Sequence, residues 1–184
     1  MNEGLIPRRY AKALYKVAVE KSTAADMYDL MSTLVASFAG NSELEPTIAN
    51  PFIKDEQKIN LLNTAAGDSD KSRGDLYNDF LKLLVKNKRV DLIRAIALAY
   101  LDIYRKANNI FIVDVASASP LTSGELDRIN KAVATQLPAG ADIRLNTKID
   151  PDLIGGFVIN LDNKRLDASV KNELKQLRLK LFTN

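Results

Sequence analysis

Residues 92–115, LIRAIALAYLDIYRKANNIFIVDV, contain the change of periodicity that decides the fold of this chain. Apolar residues recur at helical spacing from Leu92 to Tyr104, which predicts an amphipathic helix. An Asn-Asn pair then interrupts the pattern, and Ile110 to Val115 is a β-branched and aromatic run typical of a strand. The sequence therefore predicts two parts of different structural class, with the boundary after residue 105.

The part before this boundary, residues 1–105, reads as successive amphipathic helices joined by short polar loops. Short loops favour helices that pack as neighbours, so we expect a compact bundle of five or six helices. Gly40-Asn41 and Asn50-Pro51 are expected to end helices, Asp55 to cap one, and the polar stretch from Gly67 to Gly74 to form a loop. The defining apolar positions are Tyr10, Leu14, Val17 and Ala18; Met27, Leu30, Met31, Leu34, Val35 and Phe38; Ile48; Ile59, Leu61 and Leu62; and Leu76, Tyr77, Phe80, Leu83 and Leu84.

The part after the boundary, residues 106–184, mixes strand and helix signals and predicts a small α+β domain. The fold class is therefore mostly α, with a helical bundle followed by this smaller domain. Pro120 ends the first strand, and Asp162-Asn163 is expected to be a turn across which a last strand pairs back. The further predicted elements are a helix capped by Thr122 or Ser123, strands at Ile143–Asn146, Phe157–Leu161 and Lys164–Leu166, and a final helix with Val170, Leu174, Leu177 and Leu181.

The composition excludes large classes of catalytic chemistry. The 184 residues include no Cys, His or Trp, and 26 Lys and Arg balance 23 Asp and Glu to a net charge of +3. Without Cys there is no disulfide, thiolate zinc site or Cys nucleophile, and without His the commonest base at neutral pH is missing. No G-x-S-x-G or S-x-x-K motif occurs. The residues alone therefore predict a non-enzymatic interaction protein without a cofactor.

Two features in the second part admit a chemical and a structural interpretation. Asp150, Asp152, Asp162 and Asp167 could hold a divalent cation for an enzyme, but their positions in turns and before helices favour capping of local backbone. Gly155-Gly156 could belong to a phosphate-binding loop. These glycines lead directly into a strand rather than a helix, so a structural turn is the favoured interpretation.

Charge and hydropathy give weaker indications. Lys86, Lys88 and Arg89 form the densest basic cluster, and the pI is about 9.0. A small helical nucleic-acid-binding protein is therefore an alternative, although Asp91 follows the cluster at once and a solvated helix end is the favoured interpretation. The longest apolar run, Ala95 to Leu101, has seven residues. This run is far shorter than the ~20 residues needed to cross a bilayer, so we expect a soluble protein of the cytosol.

The first helix carries apolar residues on more than one side. Tyr10 and Tyr15 point in different directions on a helical wheel, and Ala11, Ala13 and Ala18 would let another helix approach closely. Such a helix is either deeply buried or presents a second surface to a partner helix. From the residues alone, burial is the favoured interpretation.

Several strings, taken in order over nearly the whole chain, resemble the delta subunit family of bacterial F-type ATP synthase. This family is related to the mitochondrial oligomycin-sensitivity-conferring protein. Each string alone is weak, but their order at this length is specific. They are Arg9-Tyr10-Ala11-Lys12-Ala13-Leu14-Tyr15, Asn50-Pro51, Phe80-Leu81-Lys82-Leu83-Leu84-Val85-Lys86-Asn87-Lys88-Arg89, Ser117-Ala118 with Pro120-Leu121, Lys148-Ile149-Asp150-Pro151-Asp152-Leu153-Ile154-Gly155-Gly156-Phe157, and Asp167-Ala168-Ser169-Val170.

The resemblance implies a non-catalytic stator subunit of the peripheral stalk that links the catalytic head to the membrane-anchored b subunits during proton-driven ATP synthesis. It implies that residues 1–105 form a six-helix bundle that binds alpha-subunit N-terminal helices, and that residues 106–184 contact the b subunits. It also implies a peripheral position at the cytoplasmic face of the bacterial plasma membrane.

The resemblance further assigns residues to each role. The alpha-subunit groove is expected between the first and fifth helices, and Met27 stands where some relatives carry an aromatic residue. Gly155 and Gly156 fall at a tight turn into a strand. The residues expected to bind the alpha-subunit helix are Tyr10, Ala13, Leu14, Val17, Met27, Phe80, Leu83 and Leu84, and those expected to contact b are Val170, Leu174 and Leu177.

Overall fold

The structure, a computed structural model, divides the chain into two compact units, residues 1–107 and 108–184. We call them the helical unit and the mixed unit. The division falls slightly after the predicted boundary because the last helix of the helical unit continues through Ala107. The structure describes residues 4–67, 75–135, 137–138, 140–161 and 164–182.

The helical unit contains six α-helices among its described residues. A single 3-10 turn, Val90–Leu92, precedes the last of them, and most of the predicted loop from Gly67 to Gly74 lies outside the described residues. The helices are α1 Leu5–Glu20, α2 Ala24–Gly40, α3 Leu44–Ala49, α4 Asp55–Ala65, α5 Asp75–Lys86 and α6 Ile93–Ala107. Asp55 is the first residue of α4 rather than its cap, because Lys54 holds the extended cap position.

The core of the helical unit forms around α6, against which both α1 and α2 pack. Met31, Leu34 and Tyr100 are completely shielded from solvent. The Tyr100 hydroxyl donates a hydrogen bond of 3.1 Å to the Ala24 carbonyl oxygen. Each fully buried aliphatic or aromatic side chain contributes about 1.5–3 kcal/mol to stability, so this core accounts for the cohesion of the unit.

The end of α5 is fixed by a backbone cap. Lys88 adopts a left-handed conformation with φ of 53°. The Lys88 N–H donates to the Val85 carbonyl at 2.9 Å, and the Arg89 N–H donates to the Leu84 carbonyl at 2.8 Å. These two bonds are the Schellman pattern that satisfies the last carbonyls of a helix. Consequently, the backbone at Arg89 has a defined position beside the end of α5.

The mixed unit is a four-stranded sheet with two helices. The strand order is β2-β1-β3-β4, with β1 and β2 parallel and the other two pairs antiparallel. Parallel neighbours need a crossover connection, which α7 provides between β1 and β2. The elements are β1 Ile110–Ser117, α7 Ser123–Ala134, β2 Asp142–Ile149, a 3-10 turn Pro151–Leu153, β3 Gly156–Leu161, β4 Lys164–Ser169 and α8 Val170–Phe182. Its core comprises Val113, Val115, Ile129, Val133, Ile159 and Leu161.

The predicted return strand is confirmed, because Leu161 pairs with Lys164 and Ile159 pairs with Leu166 in antiparallel register. The predicted turn at Asp162-Asn163 lies outside the described residues. Thr122 caps α7, as one of the two predicted candidates. Its hydroxyl accepts from the Glu125 N–H at 3.4 Å, while the Glu125 carboxylate accepts from the Thr122 N–H at 2.8 Å.

The start of α8 differs from the prediction. Asp167 was expected to cap this helix, but it lies in β4, and the Ser169 hydroxyl accepts from the Asn172 N–H at 3.2 Å. The Asp167 carboxylate instead accepts from the Ser169 hydroxyl at 2.6 Å. This hydrogen bond, assisted by one from the Ser169 backbone, lowers the pKa of Asp167. Asp167 therefore orients the capping residue rather than capping the helix itself.

Among the described parts of the chain, no helix is long and apolar enough to cross a membrane.

Candidate functional site

An apolar groove of about 200 Å³ opens between α1 and α5 in the helical unit. Apolar side chains from both helices face each other across it, with one carboxylate on the α5 side. We call this cavity the α1–α5 groove. Its lining residues are Tyr10, Ala13, Leu14, Val17, Leu76, Asp79, Phe80 and Leu83.

The groove continues into a second cavity of about 420 Å³ that shares Tyr10, Ala13 and Leu83 with it. Ile6 also lines this second cavity, together with two basic residues, Arg9 and Arg89. We call Arg9 and Arg89 the basic mouth of the groove.

The helical repeat explains how α1 serves both the core and the groove. Ala11 and Ala18 are completely buried in the core of the unit, while Ala13 and Val17 lie at the surface. Leu14 lies between these positions and is buried at the bottom of the groove. Residues three and four apart share one face of a helix, so the core face and the groove face each form a continuous stripe.

The helix α5 has the same two-sided character. Leu81 and Leu84 are fully buried, whereas Leu83 keeps 46% of its surface exposed. Phe80 is buried at 6% exposure and lines the groove from within. An apolar side chain as exposed as Leu83, next to an apolar cavity, is typical of a site where another apolar surface binds.

Six of the eight residues expected to bind the alpha-subunit helix line the groove. The structure places the other two, Met27 and Leu84, in the core at 2% and 0% exposure, and neither lines the groove. Leu76 and Asp79 also line the groove but were not expected there. Leu76 lies four residues before Phe80, a helical spacing that could have identified it; Asp79 gives no such signal in the sequence.

The residues expected to contact b lie on one stripe of α8. Val170, Leu174 and Leu177 are spaced by four and three residues and are 37%, 53% and 56% exposed. Helix neighbours at these spacings share a face. We call this stripe the α8 surface.

The glycine pair before β3 is required by backbone geometry. Gly156 has φ of +74°, and a Cβ placed there would lie 2.2 Å from the Ala168 carbonyl oxygen. A Cβ on Gly155 would lie 2.9 Å from Cγ2 of Val170. The Val170 N–H donates to the Gly155 carbonyl at 3.0 Å. The glycine pair thus lets β3 approach the junction of β4 and α8, and it forms a turn into a strand rather than a phosphate loop.

The acidic residues of the mixed unit are used locally. The Asp150 carboxylate accepts from the Asp152 N–H at 3.1 Å, and Asp167 holds Ser169. Asp162 lies outside the described residues. Within the described ranges, no group of three or more acidic side chains is arranged to hold a metal ion. Asp150 therefore caps the local backbone at the 3-10 turn, as the structural interpretation predicts.

Known proteins resemble the chain in fold and in sequence. A chain of the cryo-EM structure of the Toxoplasma gondii mitochondrial ATP synthase hexamer superposes with a TM-score of 0.70, at 23% identity, covering 99% of this chain and 98% of that one. The ATP synthase subunit delta of Bacteroides thetaiotaomicron is 35% identical, covering 97% of this chain and 94% of the relative. The subunit delta of Synechocystis is 32% identical with the same coverage.

The family model of the ATP synthase delta (OSCP) subunit matches residues 6–181. This match extends over both units and includes all of the strings from which the resemblance was inferred. It supports a role in ATP synthase and not the nucleic-acid-binding alternative, which rested on the pI and on the basic cluster at the end of α5. The chain therefore belongs to the ATP synthase delta (OSCP) subunit family.

Proposed function

We propose that the α1–α5 groove holds an N-terminal helix of an alpha subunit and that the α8 surface contacts the b subunits. As a member of its family, the chain is a non-catalytic stator subunit of ATP synthase. The groove is the observation that carries the proposal. Val17 and Leu83 are exposed at its sides, although the core of the helical unit beneath them is fully packed. In this proposal the helical unit corresponds to the six-helix alpha-binding domain of the family.

A helix is the occupant that suits the geometry of the groove. Packed helices lie 8–10 Å apart, and small side chains at the contact allow the shorter distances. The exposed Ala13 provides such a contact on α1, and Leu83 can pack beside the apolar stripe of the incoming helix. An amphipathic helix in an apolar groove is a common mode of peptide recognition, in which spaced apolar anchors supply most of the affinity.

The α8 surface supports the second contact. Its three apolar residues form a helical stripe that remains exposed in the mixed unit. A b-subunit helix that packs along this stripe would remove its apolar side chains from solvent, as a helix bound in the α1–α5 groove would do there. The two contacts belong to separate units of the chain, so one protein can join the head to the stalk.

This role requires binding rather than chemistry. A stator link resists rotation of the head while the central rotor turns, so it must remain bound under torque. Apolar contacts that exclude water supply such affinity, and charged groups at the edge of a contact set its register. The proposed location is peripheral, at the cytoplasmic face of the bacterial plasma membrane, with the ATP synthase complex providing the attachment.

Calorimetry with a synthetic peptide of the alpha-subunit N-terminus from the same organism tests the groove directly. We expect one peptide to bind each chain, and absence of binding would contradict the proposal. In a pull-down from detergent-solubilised membranes, we expect recovery of alpha, beta and b together.

The contribution of the α8 surface can be measured separately. A Leu174→Asp, Leu177→Asp variant should lose b in the pull-down but keep the affinity for the alpha peptide. Recovery of b at the wild-type level would exclude this stripe as the b contact.

A further inference from the structure

The two ends of the α1–α5 groove differ in charge. Arg9 and Arg89 line one end, whereas Asp79 lines the other part of the groove. The Asp79 carboxylate is already engaged by the Lys82 ammonium at 3.5 Å. The groove is thus basic at one end and nearly neutral at the other.

Among the described residues, no carboxylate forms an ion pair with either arginine at the basic end. Arg8 pairs with Asp102 at 3.8 Å and Arg94 pairs with Glu45 at 3.0 Å. By contrast, neither Arg9 nor Arg89 forms an ion pair with any residue in the part of the chain that the structure describes. The N-terminus of α1 and the C-terminus of α5 meet at this end of the groove. Their helix dipoles oppose each other there, so the positive charge comes from the two arginines.

The backbone holds the two arginines at the cavity from both sides. Arg9 lies in the second turn of α1, and Arg89 follows the capped end of α5, where its N–H donates to the Leu84 carbonyl at 2.8 Å. Between them, the Asn87 side chain donates to the Tyr10 hydroxyl at 3.2 Å. Both residues line the same cavity, and an anion bound there would be attracted by both positive charges.

We propose that Arg9 and Arg89 recognise a carboxylate side chain of the helix that occupies the groove, and that this contact sets the register of that helix. The inference rests on the proposed function of the groove. Guanidinium groups bind carboxylates through paired hydrogen bonds, which gives the contact a defined geometry. The apolar groove supplies the affinity, and the basic mouth selects a helix with an acidic residue at one end of its apolar stripe.

Charge reversal in the full chain tests the proposal, with the synthetic alpha-subunit N-terminal peptide as the probe. Arg9→Glu and Arg89→Glu should each weaken binding roughly tenfold, because a like charge replaces the attraction at this contact. Lys12→Glu and Lys88→Glu are matched controls. They change the net charge equally on the same helix or beside the same cap, but neither residue lines the groove.

Complementary reversal identifies the contact. Each acidic residue of the peptide is replaced in turn by Lys, and one such peptide should bind the Arg89→Glu chain at least as tightly as it binds the wild-type chain. Binding of the unmodified peptide should also weaken as salt rises.

Three outcomes separate the inference from the proposed function. The inference would be supported if Arg9→Glu and Arg89→Glu weaken peptide binding, the two control variants weaken it little, and one Lys-substituted peptide restores binding. Equal losses in all four variants, or no rescue, would overturn the inference and leave the groove as the binding site. Failure of the unmodified peptide to bind the wild-type chain would overturn both.

Discussion

The hydroxyl oxygen of Tyr10, in the second turn of α1, accepts a hydrogen bond of 3.2 Å from Nδ2 of Asn87, 77 residues later in the chain. Because Asn87 directly follows α5, this bond joins the two helices that form the groove at its basic end. The main packing partner of α1 is α6 rather than α5. The bond therefore helps to hold the walls of the groove at a fixed separation.

Removing either partner of this hydrogen bond should lower the stability of the fold slightly, and the two losses should overlap. We expect Tyr10→Phe and Asn87→Ala each to lower the free energy of unfolding by about 0.5–1 kcal/mol, the usual contribution of one hydrogen bond. The double variant should lose less than the sum of the two single variants, as measured by urea unfolding. Strict additivity would show that the two side chains are not coupled.

Leu83→Asp should weaken binding of the alpha peptide by about 2 kcal/mol or more, because a charge would replace an apolar anchor in a desolvated contact. The fold should persist, since Leu83 is 46% exposed. Leu98→Asp on α6 is the matched control, because Leu98 is also 46% exposed but does not line the groove. Equal calorimetric affinities of the two variants would contradict the assignment of the groove. Ala13→Arg, which fills the groove, should act like Leu83→Asp.

A fragment of residues 1–107 should fold alone and bind the alpha peptide with the affinity of the whole chain. The helical unit has its own core, in which side chains such as Met31 and Tyr100 are completely buried. Circular dichroism should show a cooperative helical transition on heating. A disordered fragment would show that the helical unit depends on the mixed unit.

Gly156→Ala should destabilise the mixed unit strongly, because it adds a steric clash to an unfavourable backbone conformation. Gly140→Ala is the matched control. Both glycines have positive φ, +74° and +83°, but a Cβ on Gly140 meets nothing within 4 Å. We expect Gly140→Ala to cost about 1 kcal/mol and Gly156→Ala clearly more. Similar losses in thermal unfolding would mean that the close approach to Ala168 relaxes freely.

Tyr100 should make the stability of the helical unit sensitive to alkaline pH. Burial, together with the neighbouring Tyr15 and Tyr104, raises the pKa of Tyr100 well above its usual value of 10.0. Above about pH 10 the unfolded chain loses this proton while the folded chain keeps it, so the free energy of unfolding falls as pH rises. At neutral pH this contribution is fully present.

The variant Tyr100→Phe should reduce this alkaline loss. It should be about 1 kcal/mol less stable than wild type at neutral pH, since the hydrogen bond to the Ala24 carbonyl is removed. The difference between the two proteins should then shrink above pH 10. Parallel curves in pH-dependent urea unfolding would show that Tyr100 does not titrate differently in the two states.

The local elements could be predicted from the sequence because they depend on short-range chemistry. The period of apolar residues separates the helix before Ala107 from the strand after Asn109, and Thr122, one of the two predicted candidates, caps α7. The cap of α8 was assigned to the wrong residue. Asp167 and Ser169 both suit a cap by type, and only the extent of β4 leaves Ser169 at the helix start.

The sequence by itself determined that this chain is a helical unit followed by a mixed unit, without Cys or His, and that α1 is apolar on two sides. Only the tertiary structure decided which side is covered: Ala11 and Ala18 enter the core, while Ala13 and Val17 stay at the groove. It also decided that Leu83 is exposed while Leu84 is buried. The physical reason is the separation along the chain of the residues that produce each feature. Helical periodicity arises from residues three or four apart, whereas a groove is a gap between helices whose facing residues lie some seventy positions apart in the chain.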